Sequence, residues 1–369
     1  MTYNQAEIVS ALKAFEEGEI VVVVDDDDRE NEGDLIVAAV HCTTEKMAFI
    51  IRHTSGIVCA PMTTGEAKRL NLAPMVAEND APHATAFTIS VDYRHDTTTG
   101  ISAAERNSTV RALANPNSGA VDFVRPGHVF PLVARQGGVL MRSGHTEAAV
   151  DLCKLAGLPA VGVISELVND DGSVMRGTQV ADFAKQHKLK TISVADLISH
   201  RQRQESLIER VEEFSVDTLF GEAQAITFKT PWDPMQHVAM IFGDIRDGED
   251  IPVRLHIESV LGDVFGASSS LKQSLAIIQE KGRGVVVYLR EGSVGVANTG
   301  SWEKITLAED QEDHGSAKIR EGEWLEIGLG AQILRNLSIQ SIELIASRER
   351  HYVGLEGFGI KISDTLLTE

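Results

Sequence analysis

The chain has 369 residues, an apolar fraction of 43% and a formal net charge of −20. That length exceeds one ordinary domain and suits two, each with enough apolar material for its own core. The acidic balance argues against nucleic acid as the main partner, but leaves room for a small phosphorylated ligand that needs only a few local cations.

Residues 4–17 read as an amphipathic helix, with Ile8, Leu12 and Phe15 on one stripe, Val9 and Ala11 beside it, and Gly18 as its stop. The β-branched run Ile20 to Val24 predicts a buried strand, and Leu35 to Val40 a second. Thr43-Thr44-Glu45 opens a helix that runs to about Arg52. Ile57 to Ala60 is strand-like, Thr63 to Leu70 helical, and Phe87 to Val91 strand-like again. Thr146 to Ala156 is a well-marked helix stopped by Gly157 and Pro159, and Ala160 to Ile164 forms a strand. Strands and helices mix without strict alternation, so the expected class is α+β with a mixed sheet. The polar stretch Ser199 to Glu213 separates two apolar, patterned regions, which places domains at residues 1–203 and 204–369. Beyond it, AQAITFKT, HVAMIFGDI and IPVRLHIESVL read as successive strands of a β-rich half. Val285 to Leu289 adds a strand and Ala331 to Leu337 a helix.

The three cysteines, Cys42, Cys59 and Cys153, lack CxxC spacing. A sparse, odd set of this kind suits a reducing compartment. The N-terminal residues lack a basic stretch followed by an apolar one, and no apolar run approaches the roughly 18 to 20 residues of a membrane helix. A cytoplasmic protein with no membrane partner is expected.

Four stretches are candidates for chemistry, against the plain alternatives of a solvated acidic turn, a threonine-rich turn, structural histidines and a loop carboxylate. In VVVVDDDDRENEGDLIVAA (Val21 to Ala39), Glu30, Glu32 and Asp34 share one face if the segment is extended. Like charges so placed repel, so a metal ion or an arginine must hold them. DYRHDTTTGISAAER (Asp92 to Arg106) contains Thr97 to Gly100, a loop of hydroxyl and backbone donors suited to phosphate. RPGHVFPLVARQGGVLMRSGHTEAAVDL contains His128, and its run Arg142-Ser143-Gly144-His145-Thr146 leads into a helix with Glu147 in the first turn, a natural anion site. GVISELVNDDGSVMRG puts Glu166 at the end of an apolar strand, where it can act as acid or base. Cys59 sits in an apolar strand of its own, as buried and inert thiols commonly do.

The ordered succession DRENEGD, RHTSGIVC, TTTGIS, RPGHVFPL, RSGHTEAAVDL and VISE resembles the 3,4-dihydroxy-2-butanone 4-phosphate synthases of riboflavin biosynthesis, over about residues 1 to 200. One departure is Glu105 before Arg106, where the family often has Asp. The resemblance implies a mixed α/β domain, a homodimer with sites near the interface, and a divalent ion, Mg²⁺ or Mn²⁺. It implies conversion of D-ribulose 5-phosphate, a phosphorylated sugar, to 3,4-dihydroxy-2-butanone 4-phosphate and formate. Carried over by motif, Glu30 and His145 bind the metal. Arg29, Glu30, Asp34, Thr99, Arg142, Ser143, Gly144, His145, Thr146 and Glu166 bind substrate. His128 and Glu166, with Glu32 and Cys59, serve catalysis.

The second half resembles GTP cyclohydrolase II through VRLHIESVLGDVFG, GRGVVVYLRE, GLGAQILRNL and GLEGFGIKI, giving a smaller β-rich α+β domain. That family's zinc cysteines are missing. Ser259 stands at the first position, Ala267 to Ser274 contains none, and no cysteine follows Cys153. Arg290 to Gly295 is shortened and Ile327 replaces a tyrosine. An alcohol resists the deprotonation that zinc ligation requires, so neither zinc nor cyclohydrolase activity is expected. The alternatives are a bifunctional enzyme that also hydrolyses GTP, and a regulatory protein with a nucleotide-binding second domain.

Overall fold

A computed structural model describes residues 5–25, 31–81, 85–95, 97–205, 208–231, 233–265, 270–290, 328–346, 355 and 359–368. Asp26, Asp27, Asp28, Arg29 and Glu30 lie outside these residues, as do Ala267, the run Glu291 to Gly295 and Ile327. The described residues fall into two compact units that divide between His200 and Arg201.

The first unit contains α1 (Gln5–Glu16), β1 (Val21–Val24), β2 (Gly33–Ala38), α2 (Thr44–His53), β3 (Cys59–Met62), α3 (Thr64–Arg69) and β4 (Val91–Tyr93). It continues with α4 (Ala103–Leu113), β5 (Phe123–Val133), α5 (His145–Leu155), β6 (Gly162–Glu166), α6 (Thr178–His187), β7 (Lys190–Ser193) and α7 (Val194–Gln204), which runs across the division. The sheet order is β4-β5-β3-β6-β2-β1-β7. β3 with β5 and β1 with β7 are parallel, and the other pairs are antiparallel. Helices cover both faces. Val21, Val23, Ile36, Cys59 and Ile164 pack with Ile8 and Phe15 of α1 and with Ala148, Ala149 and Leu152 of α5. The alternate residues Val22, Leu35, Val37, Ala60 and Val163 pack with α2, α4 and α6. A strand apolar on both sides must be covered on both, which explains the uninterrupted valines of β1.

The second unit holds β8 (Glu209–Thr218), β9 (Gly221–Thr230), β10 (Asp233–Phe242), β11 (Ile251–Ile257), α8 (Ser270–Lys281), β12 (Gly284–Leu289), α9 (Gly330–Asn336), β13 (Ser341–Ala346) and β14 (Lys361–Leu367). Its sheet runs β14-β13-β11-β12-β10-β9-β8. Ile278 of α8 packs on one face beside Val286 and Ile345, and Ile333 and Leu334 of α9 on the other beside Val253 and Val285. Both units are mixed-sheet α+β, as the sequence pattern predicts.

Several elements depart from expectation. The strand expected at Phe87 to Val91 makes only isolated bridges at Phe87 and Thr88, and pairing proper begins at Val91. The second strand starts at Gly33 and ends at Ala38, two residues earlier than the apolar run suggests. Ile57 is 52% exposed, ahead of β3, and Val9 is 50% exposed on α1. Ser199 to Glu213 is no simple connector, because it closes α7 and opens β8. No helix among the described residues is long and apolar enough to cross a membrane.

Candidate active site

Asp34, the second residue of β2, pairs across the ladder with Glu166, the last residue of β6. Cross-strand partners share a face, with Cβ atoms about 5 Å apart. One row inward on that face, Ile36, Ile164, Cys59 and Phe130 lie side by side on β2, β6, β3 and β5. The face is the one that α5 covers. The two carboxylates therefore stand where the apolar rows end and α5 begins. His145 is the first residue of α5, and its Nδ1 lies 3.7 Å from Asp34 Oδ1, with the side chains 6% and 4% exposed.

The approach to α5 is held by acids of the helix itself. Glu147, 1% exposed, accepts the Arg135 backbone N–H at 3.0 Å and Arg142 Nη1 at 2.7 Å. Arg142 Nη2 donates to Thr85 Oγ1 at 3.0 Å. The charge of Arg142 thus offsets a buried carboxylate. Asp151 Oδ2 accepts the Val139 N–H at 2.8 Å. Gly138, at φ +64°, lies against that carboxylate, where any Cβ would overlap it. Gly144 is extended at the helix N-cap; Ser143 is half-buried and Thr146 buried in the first turn.

His128 lies on β5, two residues before the partner of Cys59. Asp92, buried, binds it twice, accepting the backbone N–H at 2.8 Å and facing ring Nδ1 at 2.8 Å. A carboxylate there favours the tautomer protonated on Nδ1, leaving the Nε2 lone pair for chemistry. The ring is 44% exposed. Local spacing does not mark Asp92, which lies 36 positions from His128. The Thr97 to Gly100 loop closes over it, and a Cβ on Gly100, at φ +80°, would overlap its carboxylate. Glu105 shapes the loop. It accepts Thr98 Oγ1 and Ser102 Oγ, each at 2.8 Å, and completes the capping box of α4. The Thr98 backbone N–H, then the two hydroxyls, hold the Glu105 carboxyl well below the usual carboxylate range. Thr99 is exposed at the loop tip. Arg106, likewise unmarked by spacing as a site neighbour, is buried near Asp92 and donates from Nη1 to Gly56 O at 2.8 Å.

Cys59 is 8% exposed. Burial first, then the Glu166 and Asp34 charges, push its thiol far above the ordinary value, so it carries its proton at neutral pH. Glu32 pairs with Arg176, whose Nη2 lies 3.2 Å from Glu32 Oε1. Of the two alternatives for the acidic face, a metal ion or an arginine, the structure shows an arginine at Glu32. Arg29 and Glu30 lie outside the described residues, so the expected pairing of Glu30 with His145 does too. Among the described residues no group of three His, Cys, Asp or Glu side chains could hold a metal ion.

In the second unit, Asp263 lies beside Ser259. It accepts the Ser259 N–H at 2.9 Å and Tyr288 Oη–H at 2.8 Å, and faces His256 Nε2 at 2.9 Å. Burial, followed by the Asp263 bond, pushes the Tyr288 hydroxyl well above its usual range. Ser259 Oγ receives the Gly262 N–H at 3.4 Å. Among the described residues these donors are turned on one another.

Residues 9–200 match the family model described as 3,4-dihydroxy-2-butanone 4-phosphate synthase, and residues 209–366 the one described as GTP cyclohydrolase II. The fold and these matches define a two-domain enzyme of riboflavin biosynthesis. The chain belongs to the 3,4-dihydroxy-2-butanone 4-phosphate synthase family. It is 44% identical to the bifunctional riboflavin biosynthesis protein RIBA 1, chloroplastic, of Arabidopsis thaliana, over 96% of this chain and 67% of that protein. It is 45% identical to the same plant's monofunctional riboflavin biosynthesis protein RIBA 2, chloroplastic, over 97% of this chain and 76% of that protein. Among solved structures, RibBX, a two-domain 3,4-dihydroxy-2-butanone 4-phosphate synthase from A. baumannii, superposes with a TM-score of 0.81 at 32% identity, covering 98% of this chain and 99% of that one. A synthase in complex with two magnesium ions superposes at 0.52 with 47% identity, covering 53% of this chain and 97% of that one.

Proposed function

We propose that the first domain, residues 1–203, converts D-ribulose 5-phosphate to 3,4-dihydroxy-2-butanone 4-phosphate and formate with a divalent cation, Mg²⁺ or Mn²⁺. The observation that carries this reading is the buried Asp34–His145 pair beside Glu166 at one end of the sheet. Carboxylate oxygens are the ligands a hard cation takes, and Asp34 and Glu166 bring two of them beside the His145 imidazole, with Glu30 expected to complete the set. The solved synthase that holds magnesium supports the same conclusion. Glu30 and His145 would hold the ion, which when bound acts as a Lewis acid towards the sugar oxygens.

The chain's own residues do the rest. Proton removal beside the ketose carbonyl needs a base, and Glu32, Glu166 and Nε2 of His128 are the groups able to serve. Arg29, Asp34 and Thr99 bind and orient the sugar phosphate. Arg142, Ser143, Gly144 and Thr146 bring it to the N-terminus of α5, whose backbone N–H groups favour an anion. A grip on the phosphate, remote from the reacting carbons, holds those carbons in register. Cys59, protonated, lines the wall. A cytoplasmic homodimer is the assembly this reading expects.

The second domain, residues 204–369, is without cyclohydrolase activity in this reading. The loss of every cysteine after Cys153 and the self-satisfied cluster around Asp263 support it. RibBX, named as a two-domain synthase, and the monofunctional plant relative are consistent with it. A bifunctional enzyme is the second reading, favoured by the match over residues 209–366 and by the bifunctional relative. The test gives the full chain each substrate alone. D-Ribulose 5-phosphate with Mg²⁺ should yield formate, and GTP should yield none. Formate from GTP, with zinc in the protein, overturns the reading of the second domain.

A further inference from the structure

The backbone leaving the acidic run is fastened from both sides at Glu32. On one side, Asp25 Oδ1 accepts the Glu32 N–H at 2.9 Å, and the Asp25 N–H reaches Glu32 O at 3.4 Å. On the other, Glu32 forms an antiparallel bridge with Arg176, and the Arg176 guanidinium pairs with the Glu32 carboxylate at 3.2 Å. Glu32's side chain is 16% exposed, Arg176's 57%. Arg176 is itself delivered by a closed hairpin. Leu167 N–H binds Gly33 O at 2.8 Å, Met175 N–H binds Leu167 O at 2.9 Å, and Asn169 N–H binds Ser173 O at 2.7 Å. Gln179 Oε1 accepts the Arg176 N–H at 3.1 Å, tying the residue to the first turn of α6. Gly33, the next residue after Glu32, packs so closely on α6 that a Cβ there would meet Val180 Cγ1 at 2.5 Å.

We propose that Arg176 is a positioning residue of the synthase site, clamping Glu32 so that the Glu32–Asp34 stretch meets substrate and cation in one geometry. The proposal rests on the reading of Glu32 and Asp34 as site residues. Arg176 acts through Glu32, and its planar fork suits a carboxylate whose orientation must be kept. An exposed ion pair adds little to stability, so the consequence of losing it should fall on turnover.

The experiment compares the full chain with R176A, R176K and E32Q, using D-ribulose 5-phosphate and Mg²⁺. R176A should lose kcat on the order of tenfold to a hundredfold with KM nearly unchanged. Its melting temperature should stay within about 2 °C of the parent. Calorimetric titration with Mg²⁺ alone should show affinity weakened about tenfold. R176K should recover part of both losses. R176A/E32Q should be no worse than E32Q, since one effect runs through the other. If E32Q is as active as the parent, the reading of Glu32 fails. If E32Q is disabled while R176A matches the parent in kcat and Mg²⁺ affinity, the Arg176 proposal fails and that reading stands. A loss in R176A that only tracks the fraction unfolded also overturns it. Should R176A not fold, R176Q carries the same expectation.

Discussion

At the scale of single residues, the site depends on polar groups that are buried yet paired. Asp34 and His145 face each other at 3.7 Å, and Asp92 holds the ring of His128 at 2.8 Å. Isolated charges this buried would be costly, so each placement implies a partner or a task. Asp92 has the clearest consequence. In D92N the amide can no longer hold a proton on Nδ1 as the carboxylate does, and the preferred tautomer of His128 is lost. We expect kcat to fall about a hundredfold with little change in KM, the order of magnitude of general acid–base catalysis. Unchanged kcat in steady-state assays of D92N would show that His128 works without this partner.

At the scale of elements, glycines and caps decide how closely loops approach the site. G100A would force a Cβ onto the Asp92 carboxylate at φ +80°. It should destabilise the fold by about 1 to 3 kcal/mol in urea unfolding and depress turnover with it. A variant as stable and active as the parent would show that the loop has room. The same elements show what a sequence reader can and cannot see. β1 and α5 were legible, because four valines and a Gly-Pro stop are local signals. β5 was missed, since Pro126, Pro131, Arg125 and His128 break the strand pattern along its 11 residues. α4 carries a weak local signal because its buried residues mix Arg106 and Thr109 with Val110, Ala112 and Leu113. The pairing of Asp34 with Glu166 follows from strand register, and the reach of Asp92 to His128 from a fold that joins distant segments; neither is written in local spacing. Arg176 carried a signal, because like charges on one face require a cation, yet nothing in the sequence said which one.

At the scale of the whole molecule, three buried thiols link stability to pH. Burial pushes Cys42 and Cys153 from the ordinary 9.0 up to about 12, and Cys59 rises for the same reason with Glu166 and Asp34 adding to it. The unfolded chain releases these protons first as the pH rises. Their contribution is therefore complete below about pH 9 and is lost through pH 12, at up to about 1.4 kcal/mol per pH unit for each thiol. Denaturant midpoints measured from pH 8 to 11 should fall, and C42A/C153A should fall less steeply. A slope that the double variant leaves unchanged contradicts this origin.

Each of the two units carries its own cluster of polar groups. The first holds Asp34, Glu166, His128 and His145 at one end of its sheet, and in the second Asp263 binds Ser259, Tyr288 and His256. The most direct measurement follows formate and the four-carbon phosphate together when the purified full chain meets D-ribulose 5-phosphate and Mg²⁺, with D34N alongside. Equal amounts of the two products are expected from the parent and almost none from D34N. A folded, magnesium-supplied parent that leaves the sugar phosphate intact, or a D34N variant that turns it over at the parent's rate, contradicts it.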